Sequence, residues 1–225
     1  VQRNLMKAFK DAGKKVIFVN CSGSAIALSP ETQSCEAILQ AWYAGEQGGN
    51  AVADVLFGDY NPSGKLPVTF YKNTKQLPDY KDYSMKGRTY RYFNDALFPF
   101  GYGLSYTKFD VSNGKFDSKK EAITVDVKNS GAKNGTEVVQ IYIRRCDDTD
   151  GPLKSLRAYQ RVDVAAGKTV TATIPLPRKA FELFDPSTNT MRVKPGKYEI
   201  FYGTSSRNED LKKMQVDIQS ALSVN

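Results

Sequence analysis

Apolar residues change their spacing once along this chain, and that change restricts it to two architectures in succession. Up to residue 70 they come at helical intervals or in short continuous runs, whereas from Ile123 onward they alternate with polar residues. Continuous runs of branched residues suit parallel strands covered on both faces, and alternation suits antiparallel strands with one face on a core. In the first segment Leu5, Ala8, Phe9 and Ala12 recur at helical spacing and Gly13 follows as a stop. Val16-Ile17-Phe18-Val19 predicts a parallel strand buried on both faces. Ser29-Pro30-Glu31 predicts a helix start with proline at the first helical position. Residues 37–42 predict a second buried strand, and residues 48–57 a helix with Val52, Val55, Leu56 and Phe57 on one face, closed by Gly58. A third strand is expected at Leu66-Pro67-Val68-Thr69-Phe70, after the turn Asn61-Pro62-Ser63-Gly64.

Residues 71–109 lose any period and become rich in Tyr, Asp, Pro and Gly, which predicts a long connection that packs its aromatics on neighbours. Ile123-Thr124-Val125-Asp126-Val127 and residues 138–143 read as strands, joined as a hairpin through Asn134-Gly135. Further strands fit residues 159–164, 170–176, 198–202 and 214–218. Six or seven short strands separated by Gly/Pro turns predict an all-β sandwich of immunoglobulin or fibronectin type. The expected organisation is an α/β segment with a mainly parallel sheet over residues 1–75, an aromatic-rich linker over 76–118, and the β-sandwich over 119–225.

The net charge of +8 is shared evenly, since residues 1–109 hold 13 Lys/Arg against 9 Asp/Glu and residues 110–225 hold 19 against 15. A nucleic-acid binder concentrates its basic groups on one face or arm, so no nucleic-acid partner is expected. No apolar run reaches the roughly 18 residues needed to span a bilayer. Histidine is absent, which excludes Ser-His and Cys-His nucleophile pairs within these residues and removes the commonest zinc and copper ligand. No cofactor and no metal are expected. Cys21, Cys35 and Cys146 are too few and too widely spaced for a disulfide framework. A free, buried Cys21 is expected at the end of its apolar strand, a Cys21–Cys35 bridge being the alternative. The first residues lack an initiator Met and already read as an amphipathic helix, so the chain is expected to begin inside a larger one.

Residues 58–65 fail as a phosphate loop, because five residues separate Gly58 from Gly64 and Leu66 stands where Ser or Thr is needed. Gly101-Tyr102-Gly103 lacks the third glycine of a dinucleotide fingerprint. Among the acids of the first half, Asp11, Glu31, Glu36, Glu46, Asp54, Asp59, Asp79, Asp82 and Asp95, most read as turn, cap or solvated residues. Glu46 stands out after Trp42-Tyr43-Ala44-Gly45, where a parallel strand ends and α/β sheets form their ligand crevices; it also fits a first-turn acid at a helix N-terminus. Tyr80, Tyr83, Tyr90, Tyr92 and their aromatic neighbours up to Tyr106 fit either a sugar-stacking platform or the filling between two domains. Arg88 offers a planar donor for sugar hydroxyls or for an acid at the domain boundary.

Three stretches together resemble glycoside hydrolase family 3. They are Ala41-Trp42-Tyr43-Ala44-Gly45-Glu46-Gln47-Gly48-Gly49-Asn50 with Ala53-Asp54-Val55-Leu56-Phe57-Gly58-Asp59; Asn61-Pro62-Ser63-Gly64-Lys65-Leu66-Pro67-Val68-Thr69-Phe70; and Phe98-Pro99-Phe100-Gly101-Tyr102-Gly103-Leu104-Ser105-Tyr106. Ala44 departs from the proline usual there. Glu137-Val138-Val139-Gln140-Ile141-Tyr142, Ala158-Tyr159-Gln160-Arg161-Val162 and Lys194-Pro195-Gly196-Lys197-Tyr198 resemble the fibronectin type III-like domain that ends many members.

The resemblance implies the latter half of the family's α/β sandwich domain followed by that β-domain. It also implies a nucleophilic aspartate on an N-terminal (β/α)8 barrel and an acid/base glutamate earlier in the sandwich domain, both upstream of Val1. No catalytic residue is therefore assigned in this chain, and Tyr43, Glu46, Arg88 and Tyr90 are expected to line substrate. Gln76-Leu77-Pro78-Asp79-Tyr80 and Gly87-Arg88-Thr89-Tyr90-Arg91-Tyr92-Phe93 resemble members acting on xylosides or arabinosides. The implied parent is a retaining exo-β-glycosidase, a β-xylosidase trimming plant cell-wall oligosaccharides, in the periplasm or secreted, with these residues inactive alone. A β-glucosidase and a freestanding carbohydrate-binding module are the alternatives. The implied partners are an oligosaccharide and the barrel, and an incomplete parallel sheet predicts low stability or self-association.

Overall fold

A computed structural model describes residues 1–219. The N-terminal region alternates helix and strand as α1 (Gln2–Asp11), β1 (Ile17–Asn20), α2 (Ser29–Ser34), β2 (Ala37–Gln40) and α3 (Gly48–Phe57). β1 and β2 pair in parallel, from Ile17 opposite Ala37 to Asn20 opposite Gln40. Pro30 sits in the first turn of α2, and α3 stops at Gly58, which takes the left-handed conformation at φ 85°.

The strand expected to be buried on both faces is not. Ile17 is 53% exposed, and in β1 only Asn20 is buried. Two strands and three helices cannot enclose each other: α1 and α3 contain no buried residue, and Leu5, Phe9 and Phe57 face outward. The expected third strand over residues 66–70 is also absent. Pro67 has no N–H to give a ladder, and the segment instead exchanges hydrogen bonds with residues 97–102. Phe70 donates to Phe98 at 2.9 Å, Leu97 to Phe70 at 2.8 Å and Leu66 to Tyr102 at 2.8 Å. Cys21 is exposed, because β1 ends at Asn20 and Cys21 already belongs to the outgoing turn; all three thiols are free.

After the one-turn helix α4 (Thr89–Tyr92) the β-sandwich begins earlier than expected. Strand β3 (Phe109–Asp117) lies inside the stretch read as linker and pairs with β4 (Ala122–Asn129). Its alternation is hidden in the sequence by Asn113 and Gly114, where the register shifts between Ser112 and Lys115. The remaining strands are β5 (Gly135–Arg145), β6 (Ser155–Val164), β7 (Thr169–Pro175), β8 (Leu183–Asp185), β9 (Thr190–Arg192), β10 (Gly196–Gly203) and β11 (Leu211–Ile218). One sheet runs β3-β4-β7 and the other β11-β10-β5-β6, all antiparallel, with β8-β9 as a separate hairpin. Alternate residues of both sheets, among them Ile123, Val125, Val127, Val139, Ile141 and Ile200, pack together in a buried hydrophobic core. The predicted sandwich is therefore present.

Asn134-Gly135 does not make a hairpin. β4 and β5 lie in different sheets, so this turn carries the chain across the sandwich. Fully buried Asn129 holds the crossing: its amide donates to the carbonyls of Lys133 at 2.8 Å and Val164 at 3.0 Å, and its oxygen accepts from Gly131 N–H at 3.0 Å. Gly135 is needed for space, since a Cβ there would lie 2.7 Å from Asn61 Nδ2 and 3.0 Å from the Phe109 ring.

Candidate functional site

The C-terminal ends of β1 and β2 are closed by a small polar network. Buried Asn20 donates to Gln40 Oε1 at 2.5 Å and to Ser22 Oγ at 3.0 Å, and Gln40 donates to Ser22 at 3.2 Å. The chain then enters the loop before α3 through Trp42, which has φ 55°. An aromatic residue in the left-handed region costs about 1–3 kcal/mol, and such strain gathers at functional sites. Trp42 anchors this loop edge-on against buried Phe70, at 6.2 Å between ring centroids. Beyond it Tyr43 is 78% exposed, with its ring over Gly23, where a Cβ would approach to 2.8 Å. Glu46 is exposed and has no hydrogen-bond partner among the described residues. Tyr43 and Glu46 thus stand free at the sheet end where α/β folds place ligands.

Arg88 and Tyr90 flank a second strained residue, Thr89, at φ 55°. The Arg88 guanidinium is occupied: it donates to the carbonyls of Asp82 at 2.6 Å, Ser84 at 3.2 Å and Asp79 at 3.3 Å. It closes a loop whose turns are capped by Asp79, accepting from Lys81 N–H, and Asp82, accepting from Ser84 N–H. The Ser84 N–H holds the Asp82 carboxyl below the usual aspartate range, with a smaller pull from Arg88. Tyr90 stacks on Phe100 at 4.5 Å, stands edge-on to Tyr142 at 5.6 Å, and accepts a hydrogen bond from Leu156 N–H at 3.0 Å. Of the aromatics in this connection, Tyr80 and Tyr83 are the ones left 93% and 91% exposed. No hydrogen bond among the described residues joins Tyr43 or Glu46 to Arg88 or Tyr90.

The most distinctive sequence stretches meet at the boundary between the α/β region and the sandwich. Lys65 pairs with Glu137 at 2.8 Å and also donates to Gly103 O at 3.0 Å. Asn61 donates to Asn134 O at 2.9 Å while its oxygen accepts from Ser105 Oγ and Tyr106 N–H. Gln140 donates to Gly101 O at 3.0 Å and Thr204 O at 2.7 Å, and Arg161 donates to Ser63 at 3.0 Å. Gly103 packs backbone to backbone, a Cβ there falling 2.1 Å from Gly64 O. Burial pushes the Glu137 carboxyl above its ordinary value, Lys65 opposing. These motifs therefore form a latch between the α/β region and the sandwich, a role that no sequence signal announced because every partner is distant in the chain. The acids of the first half serve structure too: Glu31, 4% exposed, pairs with Arg3, Asp11 with Lys7 and Asp95 with Lys72. No helix among the described residues is long and apolar enough to cross a membrane.

Residues 1–106 match the glycosyl hydrolase family 3 C-terminal domain, and residues 137–206 match a fibronectin type III-like domain. A xylan 1,4-beta-xylosidase of Xylanibacter ruminicola is 64% identical over 97% of this chain and 26% of its own length. A periplasmic beta-glucosidase of Salmonella typhimurium is 38% identical over 91% of this chain and 29% of its own. The crystal structure of a beta-glucosidase from Kluyveromyces marxianus superposes with a TM-score of 0.85 at 33% identity, over 97% of this chain and 28% of that one. The chain spans between a quarter and a third of the length of these relatives.

Proposed function

The chain belongs to glycoside hydrolase family 3, of which it carries the C-terminal domain and the fibronectin type III-like domain, and from that membership we propose that the protein it serves is a retaining exo-β-glycosidase cleaving β-xylosides. The observation that carries the choice of sugar is the 64% identity to a xylan 1,4-beta-xylosidase, against 38% to a beta-glucosidase over a similar span. Retaining hydrolysis needs two carboxyl groups about 5–5.5 Å apart. In this reading they lie on the portion of the enzyme that the relatives carry and these residues do not include. The 225 residues act as the support for that portion: an α/β region to about residue 75, an aromatic connection, and a sandwich latched to both.

Within this reading Tyr43 and Glu46 line substrate, being exposed, unengaged and at the C-terminal end of the parallel strands. Arg88 and Tyr90 act indirectly, by shaping the loop and seating it on the sandwich. Export to the periplasm follows the Salmonella relative, whose name carries that location. The test is hydrolysis of aryl β-xyloside and aryl β-glucoside by the chain joined to the N-terminal region that its relatives possess, beside the 225 residues alone. Preference for the xyloside by the longer protein and no turnover by the shorter one are expected. Turnover by the 225 residues, or preference for the glucoside, would overturn the reading.

A further inference from the structure

A cavity of about 360 Å³ opens on the four-stranded sheet between β5, β10, β11 and the segment entering β6. That volume lies within the range of small-ligand pockets, roughly 300–1,000 Å³. Arg144, Lys154 and Lys213 line it with a single carboxylate, Glu199, beside the amides of Asn94 and Asn208 and the ring of Phe201. Glu199 lies opposite Arg144 across the strands, and its Oε1 accepts from Lys213 at 2.6 Å. The Arg144 guanidinium has no hydrogen bond or ion pair among the described residues, and its buried Nε is unpartnered. Lys154 is 4% exposed; its ammonium donates to the neutral Asn208 Oδ1 at 2.6 Å and lies 5.7 Å from the Phe201 ring centre.

Two cations lining one cavity, one buried and neither in an ion pair among the described residues, are costly in any fold. Burial holds Lys154 below the usual lysine range, Glu209 opposing and Arg144 adding a smaller depression. An entering anion relieves that cost. A planar carboxylate matches the guanidinium fork with both oxygens and still offers a second lone pair on one of them to the ammonium. The neighbouring groups are those that read a sugar: two amides for hydroxyls and an aromatic face for ring C–H groups.

We infer that this cavity binds the carboxylate of an acidic sugar, a uronic acid residue carried on an oligosaccharide. The choice of a sugar as the carrier rests on the glycosidase reading above. Titration of the 225-residue chain with glucuronate, glucose, acetate and inorganic phosphate, followed by calorimetry and by amide shifts, tests it. Saturable binding of glucuronate is expected, with no binding of glucose and at least tenfold weaker binding of acetate and phosphate. Arg144→Gln and Lys154→Met should each weaken glucuronate at least tenfold while the wild-type unfolding midpoint is kept by Arg144→Gln, whose side chain is only partly buried. No glucuronate binding by the wild-type chain, equal binding of acetate or phosphate, or undiminished binding by Arg144→Gln would overturn it. Turnover of a neutral xyloside by the longer protein without glucuronate binding would remove this inference alone, and the converse would remove only the glycosidase reading.

Discussion

Lys65 and Glu137 form an ion pair at 2.8 Å with side chains 12% and 7% exposed, and it joins the α/β region to β5, the longest strand of the sandwich. Removing one partner of a buried pair leaves the other charge without water or counter-ion, at a cost of about 3–5 kcal/mol. Lys65→Met is expected to lose that much in urea unfolding, while Lys7→Met, at an exposed pair, should stay within about 0.5 kcal/mol. Similar losses for the two variants would contradict the latch.

The same carboxyl sets a pH dependence. Burial, outweighing Lys65, raises the Glu137 pKa above its usual value of 4.5, so the folded chain keeps this proton to higher pH than the unfolded chain does. Its contribution to stability is greatest at low pH and falls as pH rises from the usual glutamate value through the raised one. The stability of wild type minus that of Glu137→Gln should therefore decline as pH climbs from about 4 toward 7. A difference that is flat or rises over that window would show the carboxyl to be unshifted or depressed.

Gly103 approaches Gly64 O too closely for any side chain, with a Cβ only 2.1 Å away. Gly103→Ala must push the two backbone segments apart and is expected to cost about 3 kcal/mol, the upper range for overpacking. Gly49→Ala, which meets nothing within 4 Å on an exposed helix turn, should be neutral or slightly stabilising. Thermal melts of the two variants side by side check both.

Tyr90 and Tyr43 should separate stability from function. Tyr90→Ala removes a ring packed on Phe100 and Tyr142 and is expected to lose about 3 kcal/mol. Tyr43→Ala, at 78% exposure, should leave the unfolding midpoint unchanged while lowering kcat/KM of the longer enzyme about tenfold. Unchanged kcat/KM would remove Tyr43 from the substrate surface.

The α/β region and the sandwich should also open at different rates. α1 and α3 bury no residue, whereas β4, β5 and β10 supply half of the buried hydrophobic core. Amides of β1 and α3 are expected to exchange with solvent well before those of Val125, Ile141 and Ile200. Equal protection in both regions would sink this expectation.

Much of the fold was legible because periodicity is local. Helical spacing marked α1 and α3, and alternation marked β4, β5, β10 and β11 within a few residues of their ends. Three of the departures share one cause. Residues 66–70, 109–117 and 134–135 each had a reasonable local signal or none, and each was decided by a partner elsewhere. The first pairs with residues 97–102, the second with β4, and the third is bound to Asn61, 73 residues away. The candidate site was legible to the same degree: Tyr43 and Glu46 follow a strand that sequence alone located. The strain at Trp42 and Thr89 was invisible, since a left-handed aromatic or threonine has no local signature.

By itself the sequence determined the order of an α/β segment and a β-sandwich, the family, and the exclusion of histidine chemistry within these residues, because composition, period and motif need no knowledge of neighbours in space. Tertiary structure alone decided what the motifs are for. Side chains such as Asn61, Lys65 and Gln140 acquire a role only when the chain brings a carbonyl or carboxylate within about 3 Å of them. Those partners lie 38 to 73 residues away.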